Sequence, residues 1–416
     1  MEPSGDAPRR RILLLTPRFP YPPTGGDRLR ILEMAREVSR RHQLTLLSLC
    51  QQEEELEQEV PRDGVFTAVH RVHLPRWASW VKAARALASR QPMQVAYFQS
   101  EEFQRHVDRL LPENDLVWCH LARTAPYAEG ASTPRWLEMT DAISLTLERA
   151  ARVGSPLHPR TWAYRTEARR MKRYEQRLLG EFDLVTLIAD ADRMHLQPRP
   201  AQEDRHVVVA PNGVALPTRP APPAGERGSG IALVGRMDSL ANRDALWYFV
   251  GEVLPGVLAR SPGARLHIVG HVLPADADRL RRLDGVQVEG VVDELSTVLH
   301  RCRVGVCPVR FGAGVQNKLL DYMAHGLAAV SSSVGVEGLQ VECGRDLLMA
   351  DSPDDWIEAV VWLLGDDTLA SSLGASGLAY VERHHRWDAA LAPAMAAADR
   401  LITRPHSRAS RAGTRS

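Results

Sequence analysis

Two rhythms of apolar and polar positions alternate along this chain. Short runs of adjacent apolar residues, "RILLLTP" and "QLTLLSLC", flank "GDRLRILEMAREVSRRH", in which apolar residues recur at helical spacing. A compact apolar run bounded by turn residues predicts a strand covered on both faces, and the longer period predicts a helix packed on it. The opening reads strand, helix, strand. Further strands are predicted at "VHRVHL", "DLVWCH", "RWLEMT", "DLVTLIA" and "HVVVAPNG", most of them followed by polar or helical segments, as in a parallel sheet. Residues 1–214 thus form one α/β unit. The segment "TRPAPPAGERGSG", rich in Pro, Gly and charge, continues neither helix nor sheet and places a linker at 215–229. A second series opens with "GIALVGRMDSL", "ARLHIVG", "VQVEGVV" and "RVGVCPV" and closes with "AAVSSS" and "DLLMA", giving a second domain over 230–400. The remainder, 401–416, is basic, has no aliphatic residue larger than alanine after Ile402 and is expected to be disordered. The expected fold class is α/β, with two doubly wound domains facing one another across a cleft.

Composition changes this picture little. A chain of 416 residues exceeds what one core usually serves, in keeping with two domains. The 52 Lys and Arg against 51 Asp and Glu leave a net charge of +1, so nothing in the overall balance calls for a nucleic-acid partner. No apolar run reaches the length of a membrane span, and Pro17 and Pro20 interrupt the first apolar stretch before a signal-peptide core forms. A cytoplasmic protein is expected. The five cysteines lack Cys-x-x-Cys spacing and read as reduced, buried thiols.

The candidate chemistry lies in the loops. In "FGAGVQNKLLDYMAHGLAAV" a glycine-rich turn, Gly312-Ala313-Gly314, joins a strand ending near Pro308 to a helix beginning at Asn317. Open α/β sheets bind ligands at the carboxyl ends of their strands, and such a turn lets backbone N–H groups and a helix N-terminus meet an anion. Lys318 would add a point charge, and Asp321 lies one helical turn on. A purely structural glycine turn with a solvated helix face explains the same residues equally well. A second turn, Gly25-Gly26 in "RFPYPPTGGDRLR", repeats the arrangement in the first domain, and Arg236 follows the first strand of the second domain, where its fork suits a diphosphate.

The segments "PNGV", "LVGRMD", "ARLHIVG", "VEGVVDEL" and "GVQNKLLDYMAHGLAAVSS" stand in the order and spacing of retaining glycosyltransferases of the GT-B type. The chain resembles them over nearly its whole length. More narrowly, "RILLLTPRFPYPPTGGDRLR", "PMQVAYFQS" and "GVQNKLLDYMAHG" are similar to the bacterial family 4 sugar transferases of exopolysaccharide and PEP-CTERM systems. The resemblance implies a GT-B fold and a nucleotide-diphosphate sugar held mainly by the second domain. A glycan or lipid-linked acceptor would approach the first domain, with transfer at retained configuration and no metal or other cofactor. Arg236 matches the diphosphate-binding arginine of the family. Where many relatives carry a following lysine this chain reads Asn242-Arg243, so Lys318 or Arg243 would take that charge. Of the two family glutamates, the second falls on Asp321, which would hold the ribose, and the first on Ala313, leaving the sugar contacts to the turn amides.

Three further residues follow. His120 ends "DLVWCH", where relatives place a histidine near the sugar, and can bond a hydroxyl or relay a proton; a satisfied strand-end histidine is the alternative. Asp141 in "EMTDAIS" would orient the acceptor or cap the next helix. Glu337 in "VGVEGL" either contacts the sugar or is a turn residue. The segments "RWASWVKAARALASR" and "RTWAYRTEARRMKRYEQRLL" combine aromatic and basic residues at helical spacing, a pattern compatible with peripheral membrane association and equally with surface helices packed on their own domain. A sugar-nucleotide epimerase or hydrolase, or a non-catalytic sugar-nucleotide-binding protein, would share the same diphosphate cradle.

Overall fold

The computed structural model describes residues 9–23, 26–153, 155, 158–197 and 206–403. In the first domain, β1 (Arg11–Thr16), β2 (Gln43–Cys50), β3 (Ala68–His73), β4 (Leu116–His120), β5 (Arg135–Thr140), β6 (Leu184–Leu187) and β7 (Val207–Val209) form a parallel sheet in the order β3-β2-β1-β4-β5-β6-β7. In the second, β8 (Gly230–Val234), β9 (Arg265–Val269), β10 (Val286–Gly290), β11 (Cys302–Cys307), β12 (Ala328–Ser331) and β13 (Leu348–Met349) form another, in the order β10-β9-β8-β11-β12-β13. Both are doubly wound. The strand order reverses beside β1 in one sheet and beside β8 in the other, and crevices at the carboxyl ends of the strands open at such points.

The continuous apolar runs are covered on both faces as their pattern requires. In β1, Ile12 to Leu15 are all fully buried, with alternate side chains serving opposite cores. One core lies under the helices Glu101–Leu110, Ile143–Val153 and Pro159–Glu181. The other lies under the helices Gly26–Ser39 and Trp387–Thr403 and contains Trp118 and Trp136, stacked across β4 and β5 with ring centroids 4.2 Å apart. The last helix among the described residues therefore packs on the first domain, a return that the hydrophobic pattern does not announce. It also extends to Thr403, three residues into the segment expected to be disordered; 404–416 lie outside the described residues.

The chain passes between domains twice, at adjacent places. Val214 on the outward passage forms a bridge with Arg386 on the return, and its N–H donates to the His385 carbonyl at 2.8 Å. Within the expected linker, Arg227 is buried and its guanidinium donates to the carbonyls of Pro222, Cys302 and His325, which ties this segment to the second domain. Four of the cysteines are buried as expected, but Cys343 is exposed, because it lies in a turn segment outside the core.

Candidate functional site

The carboxyl ends of both sheets face a cavity of about 1080 Å³ between the domains. From the first domain it is reached by the segments after β1, β2 and β3, and from the second by those after β8, β9, β10 and β11. Helix Gly26–Ser39 of one domain and helix Asn317–Ala324 of the other begin at its wall, so close that a Cβ on Gly26 would lie 2.6 Å from Nδ2 of Asn317. Two helix N-termini converge there. The positive ends of helix dipoles favour an anion, and at the first of these helices the Asp27 carboxylate already meets the Arg28 N–H.

On the second-domain side, β8 and β9 are pinched together at their ends. Gly270 has φ +117°, and a Cβ on it would sit 2.2 Å from the Gly235 carbonyl oxygen, so no other residue fits this approach. Arg236 follows directly and lines the cavity, its guanidinium forked onto Asp238 at 3.2 and 2.7 Å. Asn242 links Lys318 to the backbone of Arg236: its Oδ1 accepts from the Lys318 ammonium at 2.5 Å, and its Nδ2 donates to the Arg236 carbonyl at 3.1 Å. Lys318 is almost fully buried, and burial holds its ammonium below the usual lysine range. Asn242 thus positions a lysine arriving from another helix. Arg243 is held by Asp276 at 2.6 and 2.9 Å and does not line the cavity, which leaves Lys318 as the expected carrier of the charge.

Asp321 also lines the cavity, and burial pushes its carboxyl up to about 7. The segment Val291 to Ser296, after β10, and His271, after β9, complete the second-domain wall. On the opposite wall are Arg18, Asp27 and Arg76. Burial pushes the Asp27 carboxyl up, but Arg18, 3.4 Å away, together with His120 and Arg123 outweighs it and keeps the group below the usual carboxylate range.

The expected site residues separate into two groups. Arg236, Lys318, Asp321 and Gly26 line the cavity, while Gly25 lies outside the described residues. Gly312, Ala313 and Gly314 do not line it, in contrast to the expected phosphate cradle; the residues of that loop that do are Val315 to Lys318. Gly314 does have a left-handed backbone, φ +69°, but a Cβ there would lie 2.4 Å from Ile188 and 3.4 Å from Asp141 Cβ, so the turn is pressed onto the ends of the first-domain strands. Arg149 fixes it there, donating to the Gly312 carbonyl at 2.7 Å and to the Glu337 carboxylate at 2.5 Å. Glu337 is therefore a contact between domains.

His120, which ends β4, and Asp141, which follows β5, do not line the cavity. Burial drives the His120 imidazole down to about 4, so it is neutral near pH 7, and its Nδ1 has no hydrogen-bond partner among the described residues. Burial raises Asp141 to about 6, with Arg123 pulling it back.

One group of polar residues gave no sequence signal. Arg30 is fully buried inside a helix and donates to Glu138, equally buried, at 2.8 Å. Its Nη1 donates to Pro211 O and Asn212 Oδ1, both at 3.0 Å, and Asn212 Nδ2 donates to Asn317 Oδ1 at 2.7 Å. A hydrogen-bonded line thus runs from the first-domain core across the domain boundary to the first residue of the helix bearing Lys318 and Asp321. Only the isolated charge within an apolar helical stripe, Arg30 in "LRILEMA", could have marked it in the sequence.

Comparison with known proteins bears on this site. Residues 228–366 match the family model described as glycosyl transferases group 1. An uncharacterized 44.6 kDa protein in the cps region of Klebsiella pneumoniae is 26% identical over 129 residues, which span 29% of this chain and 33% of that protein. The two-domain architecture is the GT-B fold. It is shared with sucrose-phosphate synthase from Thermosynechococcus elongatus at a TM-score of 0.71 and 17% identity, covering 95% of this chain and 99% of that one. HepE of Anabaena, solved in complex with UDP, matches at 0.64 and 14%, covering 94% and 99%.

Proposed function

We propose that this chain is a retaining glycosyltransferase that moves a sugar from a nucleotide-diphosphate sugar to a glycan or lipid-linked acceptor in exopolysaccharide or cell-envelope synthesis. The observation that carries the reading is the convergence of two helix N-termini, Arg236 and Lys318 on one cavity between facing sheets. Its volume of about 1080 Å³ is ample for a nucleotide sugar. The diphosphate sits between the helix ends, the ribose bonds Asp321, and the base occupies the wall from Val291 to Ser296. As the bond from the anomeric carbon to the diphosphate oxygen breaks, negative charge grows on the leaving group, and Arg236 and Lys318 are placed to stabilise it. The chain's own cations meet that charge in this proposal, without a metal or other cofactor. Neutral His120 bonds a sugar hydroxyl, and Asp141 orients the acceptor. Retained configuration rests on the likeness of "GVQNKLLDYMAHG" to retaining enzymes. The cps-region relative favours a surface-glycan role.

A thermal-shift panel of nucleotide sugars tests the donor site, because a ligand of the folded state raises apparent stability with occupancy. A rise with one UDP- or GDP-sugar supports the reading, and no rise with any nucleotide sugar overturns it. Radiolabelled donor then separates the classes: an epimerase or hydrolase consumes it without acceptor, and a binding protein does not consume it at all.

A further inference from the structure

We propose that the exposed face of helix Arg76–Ala86, continued by Leu87, docks this protein on an anionic phospholipid bilayer. A surface helix ordinarily turns its apolar side chains inward. Here the assignment is reversed: Ser79, Ala83 and Ala86 are buried, while Trp77, Trp80 and Leu87 are 72%, 63% and 60% exposed and Val81 lies beside them. Positions 77, 80, 81 and 84 follow helical spacing and form one stripe. The Trp80 ring packs edge-on against Tyr97, 5.4 Å between centroids, which holds it in place at the surface. The end of the helix is clamped by Arg170, which donates to the carbonyls of Ala86 and Leu87 at 3.3 and 3.0 Å. This face is rigid, aromatic and open.

The charge around it selects the occupant. Arg76, Arg85 and Arg90 are exposed and form no ion pair among the described residues, and no acidic residue occurs from 76 to 90. On the clamping helix, Pro159–Glu181, Trp162 is also exposed, and Arg165, Arg169 and Arg173 recur every fourth position without an ion pair among the described residues. Tryptophans ringed by unpaired cations match the boundary between lipid headgroups and acyl chains, where the ring is half-buried and the guanidinium meets phosphate. A second copy of the chain fits less well, because a two-fold contact would bring the same arginines against one another. No helix among the described residues is long and apolar enough to cross a membrane, so the contact is with the surface.

Arg76 links this face to the candidate site, since it opens the helix and lines the cavity. A bilayer seated on Trp77 and Trp80 would lie at the cavity's first-domain rim, where a lipid-linked acceptor would enter. That consequence rests on the proposed transferase reading; the docking does not.

Cosedimentation of the 416-residue chain, without nucleotide, with vesicles of phosphatidylcholine alone or mixed in equal parts with phosphatidylglycerol tests the proposal. Binding is expected only to the anionic vesicles and should weaken in high salt, as the screening length shrinks from ~10 Å to ~3 Å between 0.1 and 1 M. The triple variant Trp77→Ser, Trp80→Ser, Leu87→Ser should bind at least about tenfold less, as lost burial at the interface requires. Because Trp80 touches Tyr97, a second variant, Arg85→Glu with Arg90→Glu, removes attraction without disturbing that contact and should bind weakly as well. A nucleotide thermal shift on each variant confirms an intact donor cavity. No vesicle binding, binding unchanged in both variants, or self-association that the same substitutions abolish in place of vesicle binding would overturn the proposal. The transferase reading would survive each of these results, just as vesicle binding would survive a failure to find a donor.

Discussion

Asp321→Asn separates the cost of a buried charge from its use. The carboxyl ordinarily ionises near 3.8 and is pushed to about 7 by burial alone, with no cation offsetting it. Between these values the unfolded chain holds the group ionised while the folded chain keeps it protonated. Stability is therefore lost as pH rises from about 4 to about 7 and levels off above. At ~1.4 kcal/mol per unit the full penalty is roughly 4 kcal/mol, and the opening onto the cavity reduces the expected figure to ~2 kcal/mol. The asparagine removes this penalty, so the variant should be more stable than the parent by about that amount at pH 8 and by almost nothing at pH 4. Nucleotide affinity at pH 8, where the carboxyl is ionised, should move the other way, because ribose hydroxyls lose a charged acceptor worth roughly 1.5–3 kcal/mol. Urea denaturation across pH, with titration calorimetry of UDP and GDP, reads both quantities. A stability difference that does not grow with pH would refute the burial argument, and a stabilised variant with unchanged nucleotide affinity would refute the ribose contact.

Arg236→Ala should lower transfer far more than donor affinity, since leaving-group charge is greater in the transition state than in the ground state; equal losses in kcat and binding would remove it from the catalytic role. Gly314→Val meets both a left-handed backbone and the Ile188 side chain, and should cost a few kcal/mol of stability by forcing the turn off the first domain, with donor affinity falling less; normal melting would show that this contact carries no weight. Glu138→Gln leaves the Arg30 charge buried without its counter-ion and should destabilise by roughly 3–5 kcal/mol, seen as a lower urea midpoint; an unchanged midpoint would mean the pair contributes nothing.

The two sheets were legible because strands covered on both faces are written as unbroken apolar runs, which hardly depend on context. That Arg236, Lys318 and Asp321 line the cavity was legible for a related reason: strand ends and helix starts can be read locally, and the cavity lies at both. The role of Gly314 was not. Its positive φ is a local property, but what presses on it, Ile188 and Asp141, is more than a hundred residues distant, and sequence offered phosphate and protein side chain as equal reasons for a glycine. Asn242 read as a missing lysine because the ammonium it positions comes from another helix. Glu337 read as a possible sugar ligand because Arg149, which occupies it, belongs to the other domain.

The last helix, Trp387–Thr403, has a consequence for synthesis. Leu391, Ala394 and Ala398 cover part of the core that holds Trp118, Trp136 and the inner side chains of β1. The first domain therefore leaves the ribosome before the second domain and is finished after it. Roughly 180 residues separate the end of its sheet from the helix that closes it, on the order of 10–35 s of elongation at ~5–20 residues per second. During that interval an apolar, tryptophan-bearing surface stands open while the entire second domain is made and free to fold, so the nascent chain most needs a chaperone on the part that was translated first.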